Sequence, residues 1–320
     1  MKTIGVVTSG GDAPGMNATI RAVVRIAYSK GYNVLGFEKG WEGLITNTFR
    51  QLTPRSVGGI INLGGTILLT SRCSRFREKD GLREATKTLA LNKVNGLVFV
   101  GGNGSVKGAF ELSKETDKLI VGIPATIDND VYATDETIGF DTAVNTAVAE
   151  IDKIRDTAIS HERIFIVEVM GRKRGFLALT VGLTVGAEVI LVPEEKHEAH
   201  EIIEIIRENS AKGKRSGIIV AAEGVGDTHK LAREIERKTG SEVRLSILGY
   251  AQRGGNPTAR SRLLASLFAD EAVKLLLEKE GNKVVGLKDG KITCVDLKKS
   301  CETEKPLDLS LLKLARVLAT

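Results

Sequence analysis

The sequence predicts an α/β fold in which mostly parallel β-sheets are covered by helices. Short β-rich runs alternate with helical segments along the chain, and such alternation is typical of parallel sheets flanked by helices. Runs such as LVFV (97–100) and IIVAA (218–222) are apolar throughout, as expected of strands buried on both faces. The length of 320 residues favours two domains over one.

The elements follow from local patterns. Strands are predicted at short apolar runs, which are Ile4–Val7, Val34–Phe37, Gly96–Val100, Leu119–Ile123, Ile164–Val169, Val189–Val192 and Gly217–Ala222. Helices are predicted at Asn17–Ser29, Thr142–Asp156, Ala199–Lys212, His229–Thr239 and, as a final amphipathic segment, Leu307–Leu318. The polar stretch Tyr132–Thr137 and the glycine-rich stretch Gly249–Gly255 are the best hinge candidates, and crossovers at both would interleave two α/β domains.

The composition argues against several classes of protein. The net charge of +6 fits small anionic ligands at least as well as nucleic acid, and aromatic residues, at 4%, are too few for a stacking surface. Three cysteines without a CxxC pair argue against a disulfide scaffold or a cysteine zinc site. No signal-peptide segment or membrane-length apolar run is evident, so we expect a cytoplasmic protein with no nucleic-acid or membrane partner.

Two glycine-rich turns follow predicted strands and precede helical segments. They are TSGGDAPGMN (8–17) and GGNGS (101–105). Glycine lets backbone N–H groups approach an anion, and a helix N-terminus adds its dipole. Neither turn has the GK[ST] ending of a P-loop. Each turn is therefore explained about equally well by phosphate binding and by tight strand-to-helix packing.

A third turn, PATIDNDV (124–131), places Asp128, Asn129 and Asp130 directly after a strand. One acid could accept a proton from a substrate hydroxyl while the other holds a metal ion. A turn closed by its own Asp and Asn side chains is the alternative.

Arginines form the remaining candidate set. They occur in MGRKRGF (170–176) and at Arg163, Arg244 and Arg253. Arginine is suited to a bidentate grip on phosphate, although any one of these side chains could be a solvated surface charge. Together with the acidic turn, the set suits phosphoryl transfer to a phosphorylated acceptor.

Taken together, these motifs resemble those of the bacterial-type ATP-dependent 6-phosphofructokinases, and the resemblance extends over essentially the whole length of the chain. The segments that carry the resemblance occur in the family's order and spacing. They are IGVVTSGGDAPGMNATIRAVVR, GGTILLTSR, GGNGS, PATIDND, TIGFDTA, SHER, VEVMGR, AAEGVG and ILGYAQRGGNPTARSR.

The resemblance implies transfer of the γ-phosphoryl group of ATP to the 1-hydroxyl of fructose 6-phosphate, with Mg²⁺ as cofactor, in a homotetramer. It implies two Rossmann-like domains. Residues 1–138 with 251–305 would form the larger, ATP-binding domain, and residues 139–250 with 306–320 the smaller, fructose-6-phosphate-binding domain.

The resemblance also implies site residues. Asp128 would be the base, Thr126 would lie beside the transferred group, and Arg172 would stabilise its charge. The ATP set would be Gly11, Arg72, Cys73, Gly102, Asn103, Gly104 and Ser105. The sugar-phosphate set would add Ile127, Arg163, Met170, Gly171, Glu223, Arg244, Tyr250 and Arg253 to the three catalytic residues, with Arg163 and Arg244 reaching in from a neighbouring subunit. An effector site for ADP or phosphoenolpyruvate would use Arg21, Arg25, Arg155, Gly186, Glu188, Lys212 and Lys214. Mg²⁺ would be held by Asp130 and, more weakly, by Asn103.

The chain departs from the family at several of these places. Asn103 replaces a magnesium-binding aspartate, and a neutral amide is a weaker ligand for a hard cation. Tyr250 replaces a usual histidine, Phe176 follows the MGR motif in place of a small or acidic residue, and Gly59 and Pro54 replace an aspartate and an arginine of the effector site. The identity of the effector therefore stays open.

Three hypotheses remain. The first is an active ATP-dependent 6-phosphofructokinase, and the second is a catalytically weakened regulatory paralogue. The third is a pyrophosphate-dependent enzyme, which the small residues Gly104 and Ala125 disfavour, because pyrophosphate-using relatives carry an acid and a lysine there. A dinucleotide oxidoreductase is set aside, since no acid follows a GxGxxG at the expected spacing.

Overall fold

The computed structural model describes residues 2–319 and divides the chain into two compact units. The first unit comprises Met1–Thr142 and Arg253–Lys305, and the second comprises Ala143–Gln252 and Pro306–Thr320. The chain therefore passes between the units three times.

Helices and strands alternate along both units. The strands are β1 (Thr3–Ser9), β2 (Asn33–Phe37), β3 (Phe49–Leu52), β4 (Val94–Gly101), β5 (Leu119–Thr126), β6 (Ile138–Gly139), β7 (Ile164–Val169), β8 (Val189–Leu191), β9 (Gly217–Ala222), β10 (Val243–Ile247), β11 (Lys283–Lys288) and β12 (Lys291–Asp296). The α-helices are α1 (Met16–Ser29), α2 (Trp41–Thr46), α3 (Lys79–Leu91), α4 (Asn103–Glu115), α5 (Phe140–Ser160), α6 (Phe176–Thr184), α7 (Ala199–Ala211), α8 (Thr228–Thr239), α9 (Ala259–Leu277), α10 (Leu297–Glu302) and α11 (Ser310–Leu318).

The sheet of the first unit has the strand order β12-β11-β5-β4-β1-β2-β3, with β6 paired to β5. The central pairs from β11 to β2 are parallel, whereas the edge strands β12 and β3 are antiparallel to their neighbours. Every residue of β1 is buried, because helices cover both faces of the parallel centre. The parallel order brings the carboxyl ends of β1, β4 and β5 to one edge of the sheet.

The second unit contains a four-stranded, fully parallel sheet in the order β10-β7-β9-β8. Its core combines strand residues such as Ile166 and Ile219 with Ile202 and Ile206 of α7. The apolar face of α7 repeats at three- and four-residue intervals, so its burial against the sheet follows from the sequence.

The prediction of an α/β fold with mostly parallel, helix-covered sheets is confirmed. The sequence analysis did not name β3, β6, β10, β11 and β12. Of these, β3, β10 and β12 lie at sheet edges, β6 has only two residues, and β11 is an interior strand between β12 and β5. Three of the four residues of β3 are exposed, so it lacks an apolar run. In the described part of the chain, no helix combines the length and apolarity needed to cross a membrane.

The unit boundaries differ from the expected domain boundaries by a few residues. Residues 139–142 belong to the first unit, because Gly139 pairs with Thr126 of β5 and the Thr142 hydroxyl lies 2.9 Å from that of Ser261. Residues 251 and 252 belong to the second unit, where the Gln252 amide oxygen accepts a hydrogen bond from a main-chain N–H at the end of β7.

Candidate active site

Three turns of the first unit meet at the carboxyl edge of its sheet. In the register of β1, β4 and β5, Ser9 pairs with Gly101, and Gly101 pairs with Pro124. The turns that follow these residues are therefore neighbours. Ligands of open α/β sheets bind at such edges.

The turn 101–105 is shaped by close approaches. A Cβ added at Gly101 would lie 2.3 Å from the Ser105 hydroxyl oxygen, which donates a 2.8 Å hydrogen bond to the Ser9 carbonyl. A Cβ at Gly102 would lie 3.2 Å from that of Thr126. By contrast, a Cβ at Gly104 would meet open space. Packing thus requires small residues before α4 but leaves room at Gly104, and the first N–H groups of α4 can face an anion.

The first glycine turn is covered by Arg253. The Arg253 Nε donates to the Asp12 carbonyl at 3.1 Å and lies 3.1 Å from the Asp12 carboxylate. A Cβ at Gly11 would lie only 1.9 Å from the Arg253 guanidinium, so glycine admits this side chain. The structure therefore places Arg253 beside Gly11, a residue of the expected ATP set. Of the other members of that set, Cys73 packs half-buried against the core and Arg72 is exposed.

The turn after β5 is largely buried. Asp128 is 6% exposed and Ile127 is 4% exposed. The Asp128 N–H donates to the Thr126 hydroxyl at 3.2 Å, and the Thr126 carbonyl accepts a 2.6 Å hydrogen bond from the Thr137 hydroxyl. Thr126 and Asp128 are therefore fixed next to each other, as proton transfer at one reacting centre requires.

Asn103 and Asp130 meet across this edge. The Asn103 amide nitrogen donates a 3.0 Å hydrogen bond to the Asp130 main-chain carbonyl. This bond uses the amide nitrogen, so the amide oxygen remains the atom suited to a cation. Across residues 2–319 no cluster of three or more His, Cys, Asp or Glu side chains could hold a metal by itself. The oxygen donors of this edge fit an ion that is bound mainly through a phosphate ligand and water.

In the second unit, the turn 170–172 is held by two side chains. The Arg172 N–H donates to the Glu223 carboxylate at 2.6 Å, and the Met170 N–H donates to the Gln252 amide oxygen at 3.3 Å. Gly171 has a φ of 131° and Arg172 a φ of 53°, which is uncommon for a residue with a side chain. This backbone brings Met170, Gly171, Arg172 and Glu223 together.

Arg163 and Arg244 also come together in the second unit. Both bind the Glu242 carboxylate, Arg163 through its Nε at 2.7 Å. The hydrogen bond from Arg163 lowers the pKa of Glu242 below its ordinary value. Two guanidinium groups sharing one carboxylate leave a net positive charge for an anionic ligand. Tyr250, another residue of the expected sugar-phosphate set, is 78% exposed.

Sequence reasoning missed the carboxylates that hold these arginines. Asp12, Glu194 and Glu242 bind Arg253, Arg174 and Arg163 respectively. Asp12 lies inside the first glycine turn and could have been noticed there. Nothing in the sequence indicates that Glu194 would reach Arg174, since that contact depends on tertiary structure.

Comparison with known proteins identifies the family. A sequence profile described as Phosphofructokinase matches residues 3–276. The chain belongs to the phosphofructokinase family. It is 46% identical to the ATP-dependent 6-phosphofructokinase of Halothermothrix orenii and 49% identical to that of Lysinibacillus sphaericus, with all of this chain and all of each relative covered.

A solved structure of the same family superposes closely. The phosphofructokinase of Pichia pastoris in the T-state matches with a TM-score of 0.90 at 34% identity, over 99% of this chain. The present chain spans 38% of the yeast chain, so it covers well under half the length of that relative.

Within this phosphofructokinase, part of the expected effector set forms one pocket of the second unit. Arg155, Gly186, Glu188 and Lys214 line it. The Glu188 carboxylate is buried, lies 2.7 Å from the Lys214 ammonium and accepts a 2.5 Å hydrogen bond from the Ile218 N–H. Arg155 donates to a main-chain carbonyl.

The remaining members of the effector set lie elsewhere. Lys212 is exposed at the end of α7, and Arg21 and Arg25 lie four residues apart on α1 of the first unit. Gly59, which stands where the family usually has an aspartate, has a φ of 72°.

Proposed function

We propose that this phosphofructokinase transfers the γ-phosphoryl group of ATP to the 1-hydroxyl of fructose 6-phosphate, giving fructose 1,6-bisphosphate in glycolysis. The observation that carries the proposal is the contact of the turn 101–105 with Thr126 at the edge where Asp128 lies. Full-length relatives named ATP-dependent 6-phosphofructokinase at 46–49% identity support it.

In this proposal, Asp128 accepts the proton of the attacking hydroxyl. Asp128 as a whole is 6% exposed, and its main-chain N–H is bonded to the Thr126 hydroxyl, so the residue is held in one place and is largely shielded from water. Asp128 lies on the same sheet edge as α4, whose N-terminal N–H groups would face the donor phosphates. Donor and base then lie close enough for positioning to contribute to the rate.

Arg172 would stabilise the charge that develops on the transferred group, a largely electrostatic task. The second unit would bind fructose 6-phosphate through Met170, Gly171 and Glu223, with Arg163 and Arg244 supplied by a neighbouring subunit. The anchoring of Arg172 to Glu223 supports its role, because it fixes the turn from which the guanidinium extends.

The family implies a divalent metal ion, and we propose Mg²⁺. Asp130 would hold it with help from the Asn103 amide oxygen and from the phosphates. The ion supplies neutralisation of phosphate charge when it is bound. The Asn103 side chain contacts the Asp130 main chain on the edge that also carries Asp128, which supports this assignment.

ATP is favoured over pyrophosphate as the donor. Gly104 leaves open space at the start of α4, and Ala125 is fully buried in β5 with no side chain that could grip a short donor. The full-length relatives are named as ATP-dependent enzymes, which also disfavours the weakened paralogue. We further propose a cytoplasmic homotetramer. In it, an anionic effector such as ADP or phosphoenolpyruvate would bind between subunits, at the Arg155–Lys214 pocket of one subunit and at Arg21 and Arg25 of another.

A coupled assay with ATP, Mg²⁺ and fructose 6-phosphate tests the proposal, with Asp128→Asn as the matched control. We expect the variant to lose about 10²–10⁴-fold in kcat, the usual contribution of a general base. Wild-type turnover no faster than that of the variant would refute the proposed reaction. Faster turnover with pyrophosphate in place of ATP would refute the proposed donor.

A further inference from the structure

The segment 127–137 has no regular structure before β6, yet it carries both acids of the proposed site. The Asn129 side chain joins the beginning of this segment to its end through two hydrogen bonds. Its amide nitrogen donates to the Asp135 carbonyl at 3.1 Å, and its amide oxygen accepts from the Thr137 N–H at 3.0 Å. Asn129 has a φ of 51° and is 5% exposed. The backbone between Asp128 and Asp130 is therefore held in an uncommon conformation, which persists only where surrounding contacts determine it.

Lys305 supplies such contacts from a distant part of the chain. Its ammonium donates to the carbonyl of Asn129 and to the carbonyl of Asp135, both at 2.9 Å. The Asn129 carbonyl belongs to the peptide that joins Asn129 to Asp130. A donor on that oxygen fixes the orientation of this peptide plane, and with it the backbone from which Asp130 extends and the backbone of Asn129, which directly follows Asp128.

The electrostatic surroundings of the Lys305 ammonium agree with a side chain that is held in one place. Burial lowers the pKa of Lys305 to about 8, while the carboxylates of Asp135, Asp130 and Glu136 act in the opposite direction and the Lys288 ammonium in the same one. Burying an ammonium is unfavourable unless its hydrogen bonds are satisfied. The two carbonyls of the segment provide such bonds.

Lys288 offers a comparison on the same segment. Its ammonium lies 3.0 Å from the Asp135 carboxylate, but its side chain is 64% exposed. Exposed ion pairs contribute little. Among the hydrogen bonds of the described residues, the Lys288 ammonium donates to the Asp135 carboxylate and not to the Asn129 carbonyl.

We propose that Lys305 is a positioning residue, which holds the peptide between Asn129 and Asp130 and thereby aims the carboxylates of Asp128 and Asp130. The catalytic consequence rests on the proposed function, whereas the effect on the backbone does not.

Two measurements on the full chain test this. Lys305→Met keeps most of the side-chain volume and removes the donors, and Lys288→Met is the matched control. We expect Lys305→Met to lower kcat at least about tenfold, with the KM values for ATP and fructose 6-phosphate changed less than about threefold, because a shift near 1 Å can cost about 10²-fold in rate. Lys305→Arg, which retains donors, should recover part of kcat, and Lys288→Met should stay within about twofold of wild type.

Hydrogen exchange of peptides covering 127–137 gives a readout that needs no turnover. We expect exchange to be faster in Lys305→Met than in Lys288→Met. Equal exchange in the two variants, or kcat values within twofold of each other, would overturn the inference. If Lys305→Met fails to fold, Lys305→Leu, which also has no donor, is judged by the same criteria. An inactive wild type would contradict the proposed function and leave the exchange comparison to decide the role of Lys305.

Discussion

Replacing Asn103 by aspartate separates two effects of this residue, which are its hydrogen bond to the Asp130 main chain and its proposed part in binding Mg²⁺. The variant would lose the 3.0 Å hydrogen bond from the Asn103 amide to the Asp130 carbonyl, because a carboxylate has no donor. One hydrogen bond of this kind contributes about 0.5–1.5 kcal/mol, and facing oxygen atoms add some repulsion. Without Mg²⁺ and ATP, Asn103→Asp should therefore unfold with a free energy about 1–2 kcal/mol lower than wild type.

When Mg²⁺ and ATP are bound, the same substitution is expected to be favourable, because the new carboxylate attracts the ion. A carboxylate attracts a divalent ion about 4 Å away by roughly 8 kcal/mol at an effective dielectric constant of 20, before desolvation is subtracted. If only about 1.4 kcal/mol of this remains, affinity for the ion rises tenfold. We therefore expect the half-saturating Mg²⁺ concentration for kcat to fall at least about tenfold.

The assay is a Mg²⁺ titration of ATP-dependent turnover, combined with urea unfolding of the ligand-free proteins. Asn103→Ala is the control, since it removes the hydrogen bond without adding charge. It should lose stability and gain no affinity for Mg²⁺. The reasoning is refuted if Asn103→Asp leaves the half-saturating concentration within twofold of wild type, or if Asn103→Ala lowers it equally.

Three further predictions concern packing and charge. A Cβ at Gly224 would lie 2.2 Å from the Arg172 carbonyl, so Gly224→Ala should move that turn and lower kcat about 10²-fold; unchanged steady-state kinetics would contradict this. A Cβ at Gly122 would lie 2.2 Å from the buried Phe99 ring, so Gly122→Ala should lower the free energy of unfolding by about 1–3 kcal/mol, and a midpoint in urea equal to wild type would exclude the clash. Burial lowers the pKa of Lys305 to about 8 from 10.5, so between these pH values the unfolded chain binds more protons than the folded one. The free energy of unfolding of wild type should therefore rise relative to that of Lys305→Met as pH rises from 8 to 10.5. A stability difference independent of pH in this range, measured by thermal unfolding, would argue against a depressed pKa.

The family resemblance and the fold class could be predicted from the sequence because both depend on local signals. Apolar runs such as Ile164–Val169 and glycine turns such as 101–105 specify their own conformations, and strand–helix alternation predicts parallel sheets. The edge strands β3, β10 and β12 escaped prediction because their partly exposed residues carry little periodic signal.

The sequence by itself determined the chemistry at the carboxyl edge of the first sheet, since each glycine or acidic turn there is a short continuous segment that directly follows a strand. Only the tertiary structure decided what holds them. Asn103 reaches Asp130, and Lys305 reaches Asn129, across 27 and 176 residues of chain. Sequence spacing says nothing about such contacts, because they depend on how the chain folds back on itself. The same physical reason explains why Arg253 is found against Gly11 and Asp12, where the sequence offered only a basic residue near a glycine stretch.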